Sequence, residues 1–170
     1  MDPFLSGDVP GSTPLVSAWL RGHQHLVEVV ERWTDALPAE AWWWTPAPGS
    51  INPIAGLVRH IGGSSTRLWL YATGEDIGEE LRAQGPLEMA IDHADPEGVL
   101  QLCLERLRVV GEGLKSYDLN DLEVVRHVGR KQVPVRSVLI IQHLLEHGHA
   151  HAGQIIVGRK LWDSGLGRPI

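Results

Sequence analysis

Four of the nine histidines fall in one stretch, Gln142-His143-Leu144-Leu145-Glu146-His147-Gly148-His149-Ala150-His151-Ala152-Gly153-Gln154. Imidazole nitrogens are common donors to divalent transition metals, so the spacing of these rings decides what chemistry is open to the chain. His147 and His151 are four residues apart. On a helix that spacing separates them by roughly 6 Å along the axis and about 40° around it, which lets two rings converge on one ion. His143 extends the pair to a ladder of three, but its ends lie about 12 Å apart, too far for bonds of about 2.1 Å to a single zinc-like ion. One end of the ladder is therefore left out.

The element that must carry these rings is a helix. Val138, Ile141, Leu145, Ala152, Ile155 and Ile156 recur at three- and four-residue steps, which lays one face on a core. With Ile141 at zero and about 100° per residue, His151 falls near −80°, His147 near −120°, His143 near −160° and His149 near +80°. His147 and His151 thus line one inner flank of the apolar stripe, His143 turns towards solvent, and His149 takes the opposite flank. The wheel selects His147 and His151.

A second helix offers a third ring. Asn52-Pro53 reads as a cap followed by a first-turn proline, and Ile54, Leu57, Val58, Ile61, Leu68, Trp69 and Ala72 share one face. His60 lies at about −120° from Ile54, the same kind of flank position as His147, and is placed to lean across a groove towards the pair. Alone it reads as a satisfied polar residue. Gly62-Gly63 follow it, at a cost of about 1 kcal/mol each in a helix interior, and point to a close backbone approach or a kink.

Two further helices complete the pattern. The first has Thr13 as cap, Pro14 at the opening position and a stripe of Leu15, Ala18, Trp19, Leu26, Val29, Val30 and Trp33 that runs to Leu37-Pro38. His23 and His25 on it read as partly exposed polar residues without a role. Asp95-Pro96-Glu97 opens another, with Val99, Leu102, Cys103, Leu107, Val110 and Leu114 on one face. Cys103 is core there, not a nucleophile. Pro134 is expected to open the last helix, which runs to about Leu161. Between these elements, Trp42-Trp43-Trp44 are expected to cover the bundle end, with at least one indole able to wall a pocket. Residues 74–94 are aperiodic and form a candidate rim or lid, and residues 124–130 read as a short extended ribbon. His93 receives no role. The expectation is a single all-α domain over residues 1–170, a four-helix bundle with loose tails at 1–13 and 162–170.

Composition removes several function classes. The net charge is −6 with no basic run, so a nucleic-acid backbone is repelled and nucleic acid is not expected as a partner. No long apolar run and no leader pattern occur, so no membrane partner is expected and the protein reads as cytoplasmic. The single cysteine excludes an internal disulfide and any cysteine-type zinc site, leaving histidine or carboxylate to hold a metal.

Two motifs carry a family likeness. Asn52-Pro53-Ile54-Ala55-Gly56-Leu57-Val58-Arg59-His60-Ile61 resembles the helix-two motif of the DinB-like superfamily, and His147-Gly148-His149-Ala150-His151-Ala152-Gly153-Gln154-Ile155 resembles its helix-four motif. The likeness extends by element order from Leu15 to about Lys160. It implies an up-up-down-down bundle with long crossover connections, frequently a homodimer, and a divalent metal, zinc or nickel, on His60, His147 and His151. It also implies a thiol-dependent transferase or isomerase that uses a low-molecular-weight thiol of the bacillithiol or mycothiol type. Ala152 stands where the family often has arginine, and Gly148 where a larger residue is common.

Three neutral imidazoles leave an ion its charge and an open position, as catalytic rather than structural sites do. The expected function is thus transfer of a small thiol to an electrophile, with His143, His149 or Glu146 as possible orienters or bases. The alternatives are a metal-binding stress-response protein without catalysis, a metal-dependent hydrolase, and a metal-free bundle with buried histidines.

Overall fold

Thr13 caps the first helix through its side chain, which accepts from the Val16 backbone, and α1 runs over Pro14–Thr34. A computed structural model of the chain describes residues 1–47 and 49–165. After a single turn at Ala39–Trp42 (α2), α3 spans Ile54–Thr73 and ends on Gly74 in the left-handed conformation. Asp95 caps α5, Pro96–Lys115, by accepting from the Gly98 backbone. The last helix, α6, covers Ser137–Asp163. Between α3 and α5 lie a short helix, α4, at Glu79–Gln84 and a 3-10 turn at Gly85–Leu87. The long helices form the all-α bundle that the sequence implies.

Three boundaries differ from expectation. Pro53 itself occupies the cap position of α3, and Asn52 makes no capping bond. Pro134 does not open the last helix: it lies in β2 (Val133–Arg136), paired antiparallel with β1 (Val125–Val128). A two-stranded ribbon leaves one side of each strand unpaired, so a residue without an N–H is tolerated there. The segment 1–13 is not wholly irregular either, since Pro3–Ser6 form a 3-10 turn and the Arg21 guanidinium donates to the Gly7 carbonyl at 2.9 Å. Of the C-terminal tail, Trp162 belongs to α6 and is buried, while residues 166–170 lie outside the described residues.

The core divides into two layers that give the helix directions. One joins Val16 and Trp19 of α1, Trp69 and Ala72 of α3, Val110 and Leu114 of α5, and Ile140 to Leu145 of α6. The other joins Leu26 and Val30, Ile54 to Ile61, Cys103 and Leu107, and Ala152 to Trp162. Hence α1 and α6 run one way and α3 and α5 the other, an up-down-down-up order that corrects the expected up-up-down-down. The cause is where the connections lie. Leu37, Trp42 and Trp43 stay in the second layer, so the chain turns back into α3 at the same end. Tyr117, Leu119 and Leu122 likewise stay against the first layer, so α6 starts from that end and runs antiparallel to α5. Only the connection between α3 and α5 travels the length of the bundle.

Glycine sets two helix approaches. A Cβ on Gly62 would meet the Cα of Cys103 at 2.9 Å, and one on Gly148 would meet Leu26 Cδ2 at 2.5 Å. The Gly62 position confirms the close approach expected of the glycine pair. Gly148 explains why a larger residue is absent there: Leu26, fully buried, fills the space.

Candidate metal centre

His60 on α3 and His147 and His151 on α6 meet in the groove between these antiparallel helices. One ring nitrogen from each lies within 4.8 Å of the other two. The Nε2 atoms of His60 and His147 are 2.9 Å apart, with one ring donating to the other. Ring centroids of the three pairs are 4.5 to 5.1 Å apart. Nitrogens bound to one zinc-like ion at about 2.1 Å with tetrahedral angles sit about 3.4 Å from each other, so this donor set fits a divalent cation with small ring movements. All three rings are half-buried, which combines a lowered dielectric with access for a small molecule.

Electrostatics favour the neutral, metal-binding form of the α6 rings. Burial, then the neighbouring His151, His60, His143 and Arg67, hold the His147 imidazole down to about 4. His151 is lowered as well, mainly by burial, against a hydrogen bond from its Nδ1 to Gln154 Oε1 at 3.3 Å. That bond leaves Nε2 of His151 as the free donor nitrogen.

Behind His60 stands a carboxylate that the sequence reading missed. Glu88 follows the 3-10 turn of the crossover, and its side chain is almost fully buried. One oxygen accepts from His60 Nδ1 at 2.7 Å, and both accept from the Arg67 guanidinium, at 2.6 and 2.8 Å. Burial pushes this carboxyl up, but the hydrogen bonds and charges of Arg67 and His60 outweigh burial and bring it below the ordinary glutamate value. Aperiodic surroundings concealed Glu88. The available signal was Gly63: a Cβ there would collide with the Glu88 carboxylate.

The remaining candidates lie elsewhere. His143 is exposed, its ring 5.4 Å from His147 and outside the converging set. His149 lies across α6, with Nε2 donating to the Gly22 carbonyl at 3.0 Å. Glu146 is exposed and accepts from Gln142, so it orients none of the three rings. His23, expected at a partly exposed edge, is instead buried beneath α5, where Gly111 leaves room for its ring. Cys103 is buried and its thiol pushed up to about 12, consistent with a core residue. Trp42 and Trp43 pack into the bundle end, and Trp43 donates to the Ala94 carbonyl while the Arg59 guanidinium sits over its ring. Arg59 also pairs with Asp92 at 2.8 Å, so the end of the crossover is fastened to α3 beside the site.

Ser50, Ile51 and Asn52 face Ala150, Gly153, Gln154 and Val157 across a groove of about 420 Å³. Gln154 belongs to both the groove and the hydrogen bond to His151.

Fold and site together define a helical-bundle protein whose centre is three histidines able to hold a metal ion. The chain belongs to the DinB superfamily: residues 23–155 match that family's profile, a span containing His60, Glu88, His147 and His151. A search of curated proteins gives no match. Among the described residues no helix is long and apolar enough to cross a membrane.

Proposed function

We propose that the protein is a metal-dependent enzyme of the thiol-transferase type, with zinc or nickel held by His60, His147 and His151. The observation that carries this reading is the meeting of three half-buried imidazoles, one nitrogen of each within 4.8 Å of the others, between α3 and α6. A divalent ion on three neutral imidazoles keeps an open position and makes a thiol or water in that position far more acidic.

The chain's own residues supply the rest. Gln154 orients His151, and the groove ending at Gln154 has room for the organic part of a thiol or an electrophile. No protein thiol competes, since Cys103 is buried and protonated. Single-domain organisation over residues 1–170 and a homodimer belong to the same proposal, the latter from the family's habit and checked by sedimentation at micromolar concentration; monomer alone would remove it.

The functional test has two stages. Untagged protein analysed for metal is expected to carry one zinc or nickel per chain; none would end the proposal. Metal-loaded protein is then screened with low-molecular-weight thiols and a chromogenic electrophile. Turnover that needs both metal and thiol supports transferase chemistry, whereas thiol-independent ester or amide cleavage would move the assignment to a hydrolase.

A further inference from the structure

The crossover between α3 and α5 contributes a charged side chain to the centre, although none of its residues is among the metal-capable set. His60, Gly63 and Arg67 fall on one face of α3, at the three- and four-residue steps that stack side chains along a helix. The missing side chain at Gly63 leaves a recess between the ring and the guanidinium. Glu88 fills it from outside the helix, in contact with all three positions. A glycine in mid-helix is costly, and here its missing side chain makes room for the Glu88 carboxylate with Arg67 Nη1 alongside.

The chemistry of the contact is specific. A carboxylate only accepts, so the proton on His60 facing Glu88 sits on Nδ1. The nitrogen left to bind an ion is then Nε2, the atom that faces His147 Nε2 at 2.9 Å. Arg67 holds both oxygens of Glu88 at once, which fixes the carboxylate plane as well as its position. A metal-ligating histidine commonly donates its second N–H to such a group, which sets the tautomer and the ring orientation.

We propose that Glu88, held by Arg67, is a positioning residue that presents His60 Nε2 to the divalent cation, so that the crossover is a working part of the metal centre. This inference rests on the metal reading of His60, His147 and His151. It adds a thermodynamic link: an ion binding His60 in this orientation favours a docked crossover, and a docked crossover favours the ion.

The test compares wild type with Glu88→Gln and Arg67→Met by competition against a chromogenic chelator, using zinc and cobalt. Each variant is expected to keep one ion per chain but bind it about 10- to 100-fold more weakly. Limited proteolysis within residues 78–92 should slow on adding zinc to wild type and respond much less in the variants. Because either substitution exposes a buried partner and can unfold the chain, a second measurement uses the wild type alone. Long-range proton–nitrogen NMR of the zinc-loaded protein is expected to show His60 protonated on Nδ1 and ligated through Nε2. Unchanged affinity in folded variants, or a His60 ligated through Nδ1, overturns the positioning role while leaving the metal reading intact. Wild type that takes up no stoichiometric metal overturns both.

Discussion

Helix α6 carries histidines on both flanks, and the two groups behave differently. On one side His147 and His151 meet His60 with nitrogens converging, a carboxylate behind one ring and an amide behind another. On the other, His149 gives its Nε2 proton to the Gly22 carbonyl and stacks edge-on to His25 at 5.2 Å, while His23 is buried with Nε2 lacking a partner. The residue type is the same, but the destination of the N–H groups is not. Where they point outward to side-chain acceptors, as at His60 and His151, lone pairs are left to face a common centre; where they point to backbone, the rings act as packing with a polar edge.

The largest effect that would test this contrast is loss of the metal. His60→Ala, His147→Ala and His151→Ala are each expected to abolish stoichiometric binding by elemental analysis, while His149→Ala retains it. If His149→Ala alone strips the ion, the two flanks have been assigned the wrong way round.

Replacing residues 78–88 with a short Gly/Ser linker removes Glu88 and should weaken zinc binding by roughly 10- to 100-fold in chelator competition, with helicity by circular dichroism retained. A variant with wild-type affinity would return the crossover to a plain connector.

A smaller effect concerns pH on the packing flank. Burial, and then the charge of His149, lower the pKa of His23, against a hydrogen bond donated by its ring to the Leu107 backbone, which raises it. The folded chain therefore takes up this proton less readily than the unfolded chain, whose histidine titrates near pH 6.5. The stability contribution is complete above about 6.5 and declines as pH falls towards the folded value. His23→Leu removes an orphaned buried nitrogen and is expected to be near neutral in denaturant titrations at pH 7.5. Between pH 7.5 and 5 it should lose less stability than wild type; an identical loss would show that His23 is not the group being charged.

The smallest expected change is His149→Ala on stability, about 1 kcal/mol from one partly buried hydrogen bond. A loss of several kcal/mol by the same titration would mean that this flank is structurally more than packing.

What the sequence disclosed follows from what periodicity encodes. Helical spacing located His147, His151 and His60 on inner flanks, and Thr13-Pro14 and Asp95-Pro96 announced two helix starts that the structure retains. The burial of His23 was hidden because it depends on α5 lying over α1 at a glycine, a relation between helices rather than within one. Helix direction was hidden for the same reason, since a wheel is indifferent to which end of the bundle a connection returns to. Pro134 misled because a proline before an apolar periodic run has the same look whether it opens a helix or sits in the ribbon before it. Glu88 had no spacing to betray it, only the cavity left at Gly63.

The partners of the centre lie far apart along the chain, with His60 and His147 separated by 87 positions. The α3–α5 packing closes a loop across the crossover alone, whereas the α3–α6 groove needs a much longer loop closed first. The three-histidine centre should therefore appear late in refolding. His147 and His151, four residues apart on one helix, can capture an ion earlier and weakly, so zinc present during refolding is expected to hasten the final step rather than the first.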